Sequence, residues 1–157
     1  MSKRVAYFAY GSNMSTERLQ EPGRAPSAKP LGRAKLPSKR LVCNKKSTDC
    51  SGKANLIDST EDTVWGVLYE IDSAELDNLG RAERNYTLKS LDVITDQDSL
   101  VKAYVYVSSE LTEDARPYDW YKELLIKGAR EYGLPASYVK YLEQITSKPY
   151  AAKQRCN

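Results

Sequence analysis

The sequence predicts an α+β fold, and three observations carry that prediction. Thr63 to Ile71 is a β-branched and aromatic run with the make-up of a strand, and Gly66 sits in it at a close-approach position. The last third, Tyr118 to Ile145, reads as helical and is broken by Gly133 and Pro135. Strands with interleaved helices, followed by a helical end, favour α+β over a doubly wound parallel sheet.

The elements follow in order. Val5 to Tyr10 is strand-like and stops abruptly at Gly11-Ser12-Asn13. Ser15 to Gln20 predicts a short helix before Pro22 and Gly23. A Pro- and Lys-rich loop is expected through Pro26, Pro30 and Pro37, then short strands at Arg40–Asn44 and Lys53–Ile57. After the Thr63–Ile71 strand, Asp72 or Ser73 caps a helix running to about Arg84. Glu75 stands three residues after Asp72, as in a capping box, and Leu76 and Leu79 form the apolar stripe. Leu88–Thr95 and Leu100–Val107 read as a hairpin around Asp96-Gln97-Asp98-Ser99.

With 157 residues and no Pro/Gly/Ser-rich linker, one domain over residues 1–157 is expected, burying ~70% of its unfolded surface. No apolar run approaches the ~20 residues that span a bilayer, and the N-terminus lacks a secretory signal's apolar region. The expected compartment is the cytoplasm, with no membrane partner. Cys43, Cys50 and Cys156 match no metal-ligand spacing, and reduced thiols are expected. There is no histidine, which removes Ser-His-Asp and Cys-His catalysis and disfavours a zinc site, so no metal is expected. Any general base must be a carboxylate, lysine, tyrosine or cysteine.

The net charge of +3 hides an asymmetry. Between Arg24 and Lys53 there are nine basic residues against one acid, Asp49. Such a segment is either a solvated surface or an attractor for anions. It contains no aromatic residue, so stacking on single-stranded nucleic acid is poorly supported and no nucleic-acid partner is expected.

Two places carry candidate chemistry. At Tyr7-Phe8-Ala9-Tyr10-Gly11-Ser12-Asn13 a strand ends in a turn whose backbone N–H groups either finish an ordinary strand-to-helix link or cradle an anion. At Glu83, near a helix C-terminus, the dipole would raise a carboxylate's pKa and make it a better proton acceptor. The alternative there is a solvated glutamate paired with Arg81 or Arg84. Twelve tyrosines against one phenylalanine suit either a pocket with polar tips or a core whose hydroxyls reach its edge.

Taken together, several segments resemble the γ-glutamylcyclotransferase and AIG2-like superfamily. They are Tyr7 to Asn13, Val64-Trp-Gly-Val-Leu-Tyr69, Leu79-Gly-Arg-Ala-Glu83 with Tyr86, and Tyr121 leading into Lys127-Gly-Ala-Arg-Glu-Tyr-Gly-Leu-Pro135. The resemblance implies a small mixed β-barrel with flanking helices and a pocket for a γ-glutamyl group, formed by Tyr7, Phe8, Ala9, Tyr10, Gly11, Ser12 and Asn13 with Tyr86 and Tyr121. It places the catalytic carboxylate on Glu83 and implies no cofactor, a small γ-glutamyl substrate, and leaves a homodimer open. The chain departs from the family pattern at Gly80, where many members carry aspartate, and at Arg84, where many carry glycine. A non-catalytic ligand-binding or regulatory module on the same fold is the second reading that these departures leave.

Overall fold

The computed structural model describes residues 3–82 and 84–150. Five strands, β1 (Arg4–Ala9), β2 (Lys29–Lys46), β3 (Gly52–Asp72), β4 (Thr87–Thr95) and β5 (Leu100–Val107), close into a barrel in the order β1-β3-β2-β4-β5. Neighbours are antiparallel except at the seam, where β1 runs parallel to β5 through Tyr7 and Tyr104. Among the described residues four α-helices flank it: α1 (Thr16–Leu19), α2 (Glu75–Ala82), α3 (Asp119–Glu131) and α4 (Ala136–Glu143). The expected α+β class and mixed barrel are both present.

Burial explains why these segments hold together. Phe8, Val64, Val67, Ile71, Val93 and Val105 from the strands share one core with Leu19, Leu79, Leu125 and Leu142 from the helices. On α3, Tyr121, Leu125, Ile126 and Ala129 recur at helical spacing and form its buried stripe. Gly133 ends the helix at φ +62, a conformation that only glycine adopts cheaply. Glu75 reaches back to the Asp72 N–H at 3.2 Å, the capping contact expected from the sequence.

One expectation fails. Residues 29–46 are a continuous strand, not a loop followed by a short strand. Pro30 and Pro37 sit beside register shifts in the β2–β3 ladder, where a strand tolerates a missing N–H. The two strands expected at Lys53–Ile57 and Thr63–Ile71 likewise merge into β3. The expected reduced thiols are met only in part: Cys43 is free and buried, Cys50 is disulfide-bonded instead, and Cys156 lies outside the described residues. No helix among the described residues is long and apolar enough to cross a membrane.

Candidate active site

The cleft is organised around one irregularity in the sheet. Val42 pairs with Asn55 and Lys45 with Lys53, so Cys43 and Asn44 together face the single residue Ala54. An extra residue of this kind disrupts the ladder locally and redirects backbone groups. Two tyrosines take up those of Ala54. Its N–H donates to the Tyr121 hydroxyl at 3.1 Å, and its carbonyl accepts from the Tyr86 hydroxyl at 2.6 Å.

β1 delivers the facing wall. After Ala9 the chain turns at Gly11 into a single 3-10 turn, Ser12–Met14. The turn's own bonds begin with Met14 N–H to Gly11 O at 3.0 Å, so the N–H groups of Ser12 and Asn13 precede the first of them. The buried Asn13 amide is held at both ends, donating to the Tyr7 hydroxyl at 3.0 Å and accepting from Arg24 at 2.9 Å. Arg18 donates to the Ser12 hydroxyl at 3.0 Å. A Cβ on Gly11 would lie 3.2 Å from Ala54 Cβ and 3.3 Å from the Tyr121 hydroxyl. Close approach across the cleft, with φ an ordinary −110°, is what favours glycine there.

Tyr10 and Tyr106 close the inner end. The Tyr10 hydroxyl donates to the Tyr106 carbonyl at 2.5 Å, and the Tyr106 hydroxyl donates to the Leu76 carbonyl in α2 at 2.7 Å. The Tyr106 ring stands edge-on to Tyr7 and Tyr86, with centroids 6.3 and 6.5 Å away.

Seven of the nine residues expected at a substrate pocket, Tyr7, Tyr10, Gly11, Ser12, Asn13, Tyr86 and Tyr121, line this one cleft. Phe8 and Ala9 do not. Strand alternation turns the Phe8 ring away from the side taken by Tyr7. The ring and the Ala9 carbonyl pack instead over Gly66, where a Cβ would come within 2.7 Å of Phe8 Cζ and 2.4 Å of the carbonyl oxygen. Gly66 thus meets the close approach that its place in the strand predicted. Glu83 lies outside the described residues, while its neighbours Ala82 and Arg84 line a second recess that shares Ser12, Tyr86 and Tyr121 with the cleft.

That recess is cationic. Arg18, Arg24, Lys45, Lys53 and Arg84 all line it. Lys45 lies 4.8 Å from the centroid of the Tyr86 ring, and Lys53 lies 4.6 Å from that of Tyr121. Lys53 also pairs with Asp49 at 3.1 Å. Burial alone would raise the Asp49 carboxyl, but hydrogen bonds from Ser51 and the Lys53 ammonium outweigh it and hold the group down at about 2. The sequence reading missed Ala54, Tyr106, Arg18, Lys45 and Lys53 as site residues. Its one signal was the basic excess between Arg24 and Lys53, which supplies three of the recess's cations.

Comparison with known proteins now decides the lineage. Residues 63–142 match the AIG2-like family. The chain is 31% identical to the Homo sapiens γ-glutamylcyclotransferase over 156 residues, spanning 94% of this chain and 81% of that relative. The Bos taurus γ-glutamylcyclotransferase matches at the same identity and coverage. The chain belongs to the γ-glutamylcyclotransferase family. A solved γ-glutamyl cyclotransferase structure agrees in shape, with a TM-score of 0.85 at 31% identity over 96% of this chain and 93% of that one. The barrel with its flanking helices is the γ-glutamylcyclotransferase fold, and the chain is an enzyme of that type.

Proposed function

We propose that this γ-glutamylcyclotransferase converts a γ-glutamyl amino acid or amine into 5-oxoproline and the free amine, with Glu83 as the proton carrier. The observation that carries the reading is the convergence of the Gly11-Ser12-Asn13 turn, Tyr86 and Tyr121 on one cleft whose adjoining recess is bordered by Ala82 and Arg84.

The chemistry is an intramolecular aminolysis. The substrate's α-amine attacks its γ-carbonyl carbon, a carbon–nitrogen bond closes the five-membered ring, and the bond to the leaving nitrogen breaks. Glu83 takes one proton from the α-ammonium and passes it to the leaving nitrogen, and the proton that the attacking nitrogen sheds as the ring closes is taken up by the departing amine, which leaves as an ammonium. The reaction is redox-neutral and its atoms balance without a co-reactant, so it calls for no cofactor. Holding the folded conformer supplies much of the acceleration, because well-oriented intramolecular attack is worth on the order of 7–11 kcal/mol. Backbone N–H groups of the turn suit either the substrate's α-carboxylate or the oxyanion formed at the γ-carbon.

The decisive experiment measures 5-oxoproline release from a panel of γ-glutamyl amino acids and amines by the wild type and by Glu83→Gln. The variant keeps size and removes the base, so kcat falls ~10²–10⁴-fold while circular dichroism is unchanged. Near-wild-type turnover would remove Glu83 from the mechanism.

A further inference from the structure

We infer, resting on the cyclotransferase reading above, that Tyr106 is a positioning residue, which through α2 sets where the proton carrier Glu83 stands relative to the substrate-holding turn. This residue of β5 is bound in both directions. Its carbonyl accepts from the Tyr10 hydroxyl at 2.5 Å, one residue before the Gly11 that opens the turn. Its hydroxyl donates to the Leu76 carbonyl at 2.7 Å, so its proton is committed to α2. The residue is only 7% exposed, and its ring stands edge-on to Tyr7 and Tyr86. The end of β1 and the body of α2 are therefore both registered against one strand residue of the barrel.

The helix needs that register. Its first turn is anchored by Glu75, which accepts from the Ser27 N–H at 3.1 Å and the Asp72 N–H at 3.2 Å. Further along, Leu79 is buried in the core, and the Asn78 amide donates to the Arg24 carbonyl at 3.2 Å, a tie to a loop and not to the barrel. Gly80 loosens the helix one turn beyond Leu76, because glycine is a poor helix former. In a regular helix the Leu76 carbonyl accepts from the Gly80 N–H, so the tyrosine bond reinforces the same turn. A Cβ at Gly80 would stand 3.5 Å from the Tyr106 hydroxyl, so the hydroxyl lies over the residue at which this chain departs from the family's aspartate. Ala82 ends α2 six residues, or ~9 Å, beyond Leu76, and Glu83 is next in the chain. Over that length a tilt of a few degrees moves the far end by ~1 Å, a misplacement that costs up to about a hundredfold in rate.

The test is Tyr106→Phe, which removes the hydroxyl and keeps both the ring and the carbonyl that receives Tyr10. 5-Oxoproline release is measured from the γ-glutamyl amino acid that the wild type turns over fastest. Four proteins are compared: wild type, Tyr106→Phe, Glu83→Gln and the double variant, the last two at high enzyme concentration. In Tyr106→Phe, kcat should fall about ten- to hundredfold while KM stays within about twofold. Circular dichroism should be unchanged and Tm lower by about 2–4 °C. On the Glu83→Gln background the same substitution should change kcat less than about twofold, because a residue acting through Glu83 has no base left to position. A merely structural tyrosine would lower kcat by the same factor on both backgrounds. A near-wild-type kcat in Tyr106→Phe, a loss carried by KM, an equal loss on both backgrounds, or loss of the folded dichroism spectrum overturns the inference while the cyclotransferase reading stands. Near-wild-type turnover by Glu83→Gln, or no 5-oxoproline from any γ-glutamyl substrate, overturns the reading itself, and the inference with it.

Discussion

Two spaces meet at Ser12, Tyr86 and Tyr121, and they are built from different materials. In the inner cleft, tyrosine hydroxyls are tied to the main chain: Tyr10 to Tyr106, Tyr86 and Tyr121 to Ala54, Tyr106 to Leu76. In the outer recess the walls are long basic side chains. Hydrogen bonds to backbone fix positions closely and tolerate little displacement. Charge acts over several ångströms and tolerates much. The difference teaches a division of labour: under the proposed reaction, the inner cleft is built to hold the constant γ-glutamyl part in place, and the recess to admit the part that varies.

The division can be broken most forcefully from behind the inner wall. Gly128 of α3 lies against the 3-10 turn so tightly that a Cβ there would come within 2.5 Å of Met14 Cβ and 2.8 Å of the Ser15 nitrogen. Gly128→Ala should therefore destabilise by ~1–3 kcal/mol despite alanine's better helix propensity, as urea titration would measure. It should also lower kcat for every γ-glutamyl substrate alike. Selective loss for acidic substrates would contradict the division.

Tyr121→Phe comes next. It removes the acceptor of the Ala54 N–H, at a cost of ~1–2 kcal/mol, and loosens the bulge from α3. Denaturation midpoints and kcat should both fall, with substrate ranking unchanged. Gly11→Ala is milder, because the new Cβ contacts at 3.2 and 3.3 Å need shifts of a few tenths of an ångström. A few-fold rise in KM across all substrates is the expected result, and unchanged KM and kcat would make the turn an ordinary link between elements.

The smallest effect belongs to Asp49, the partner of Lys53 behind the outer recess, and concerns pH. Asp49 titrates at about 2 in the folded chain, below the ~3.9 of an unperturbed aspartate. Its contribution to stability is thus full above about pH 4 and disappears as pH falls through 2. The stability gap between wild type and Asp49→Asn, measured in urea at neutral pH, pH 4 and pH 2, should close at the acid end. A gap that persists at pH 2 would show that the ionised carboxylate, held by Ser51 and Lys53, is not its source.

Much of this was legible in the chain itself. The end of β1, the capping contact of Glu75, the hairpin of β4 and β5, and Gly133 at the end of α3 all follow from local chemistry that a few residues contain. What escaped the sequence depends on distant partners. Pro30 and Pro37 looked like loop residues because a strand accepts proline only at irregularities, and those appear once β3 is laid alongside. Ala54 has no chemical signature; it lines the cleft because the facing strand has one residue too many. Phe8 and Ala9 belong to a motif that reaches the cleft, yet pleating turns the Phe8 ring into the core, and Ala9 is buried with its carbonyl against Gly66. The basic segment announced its charge but not its geometry, since only Arg24, Lys45 and Lys53 of its nine cations reach the recess.

Gly128 has a consequence beyond stability. The helix backbone that bears on Met14 and Ser15 is the one that carries Tyr121, so the turn and the tyrosine facing it ride on a single rigid body. Neither can swing aside without the other. A ligand that presses on the turn is therefore felt at the Tyr121 hydroxyl through one helix, without any intervening loop.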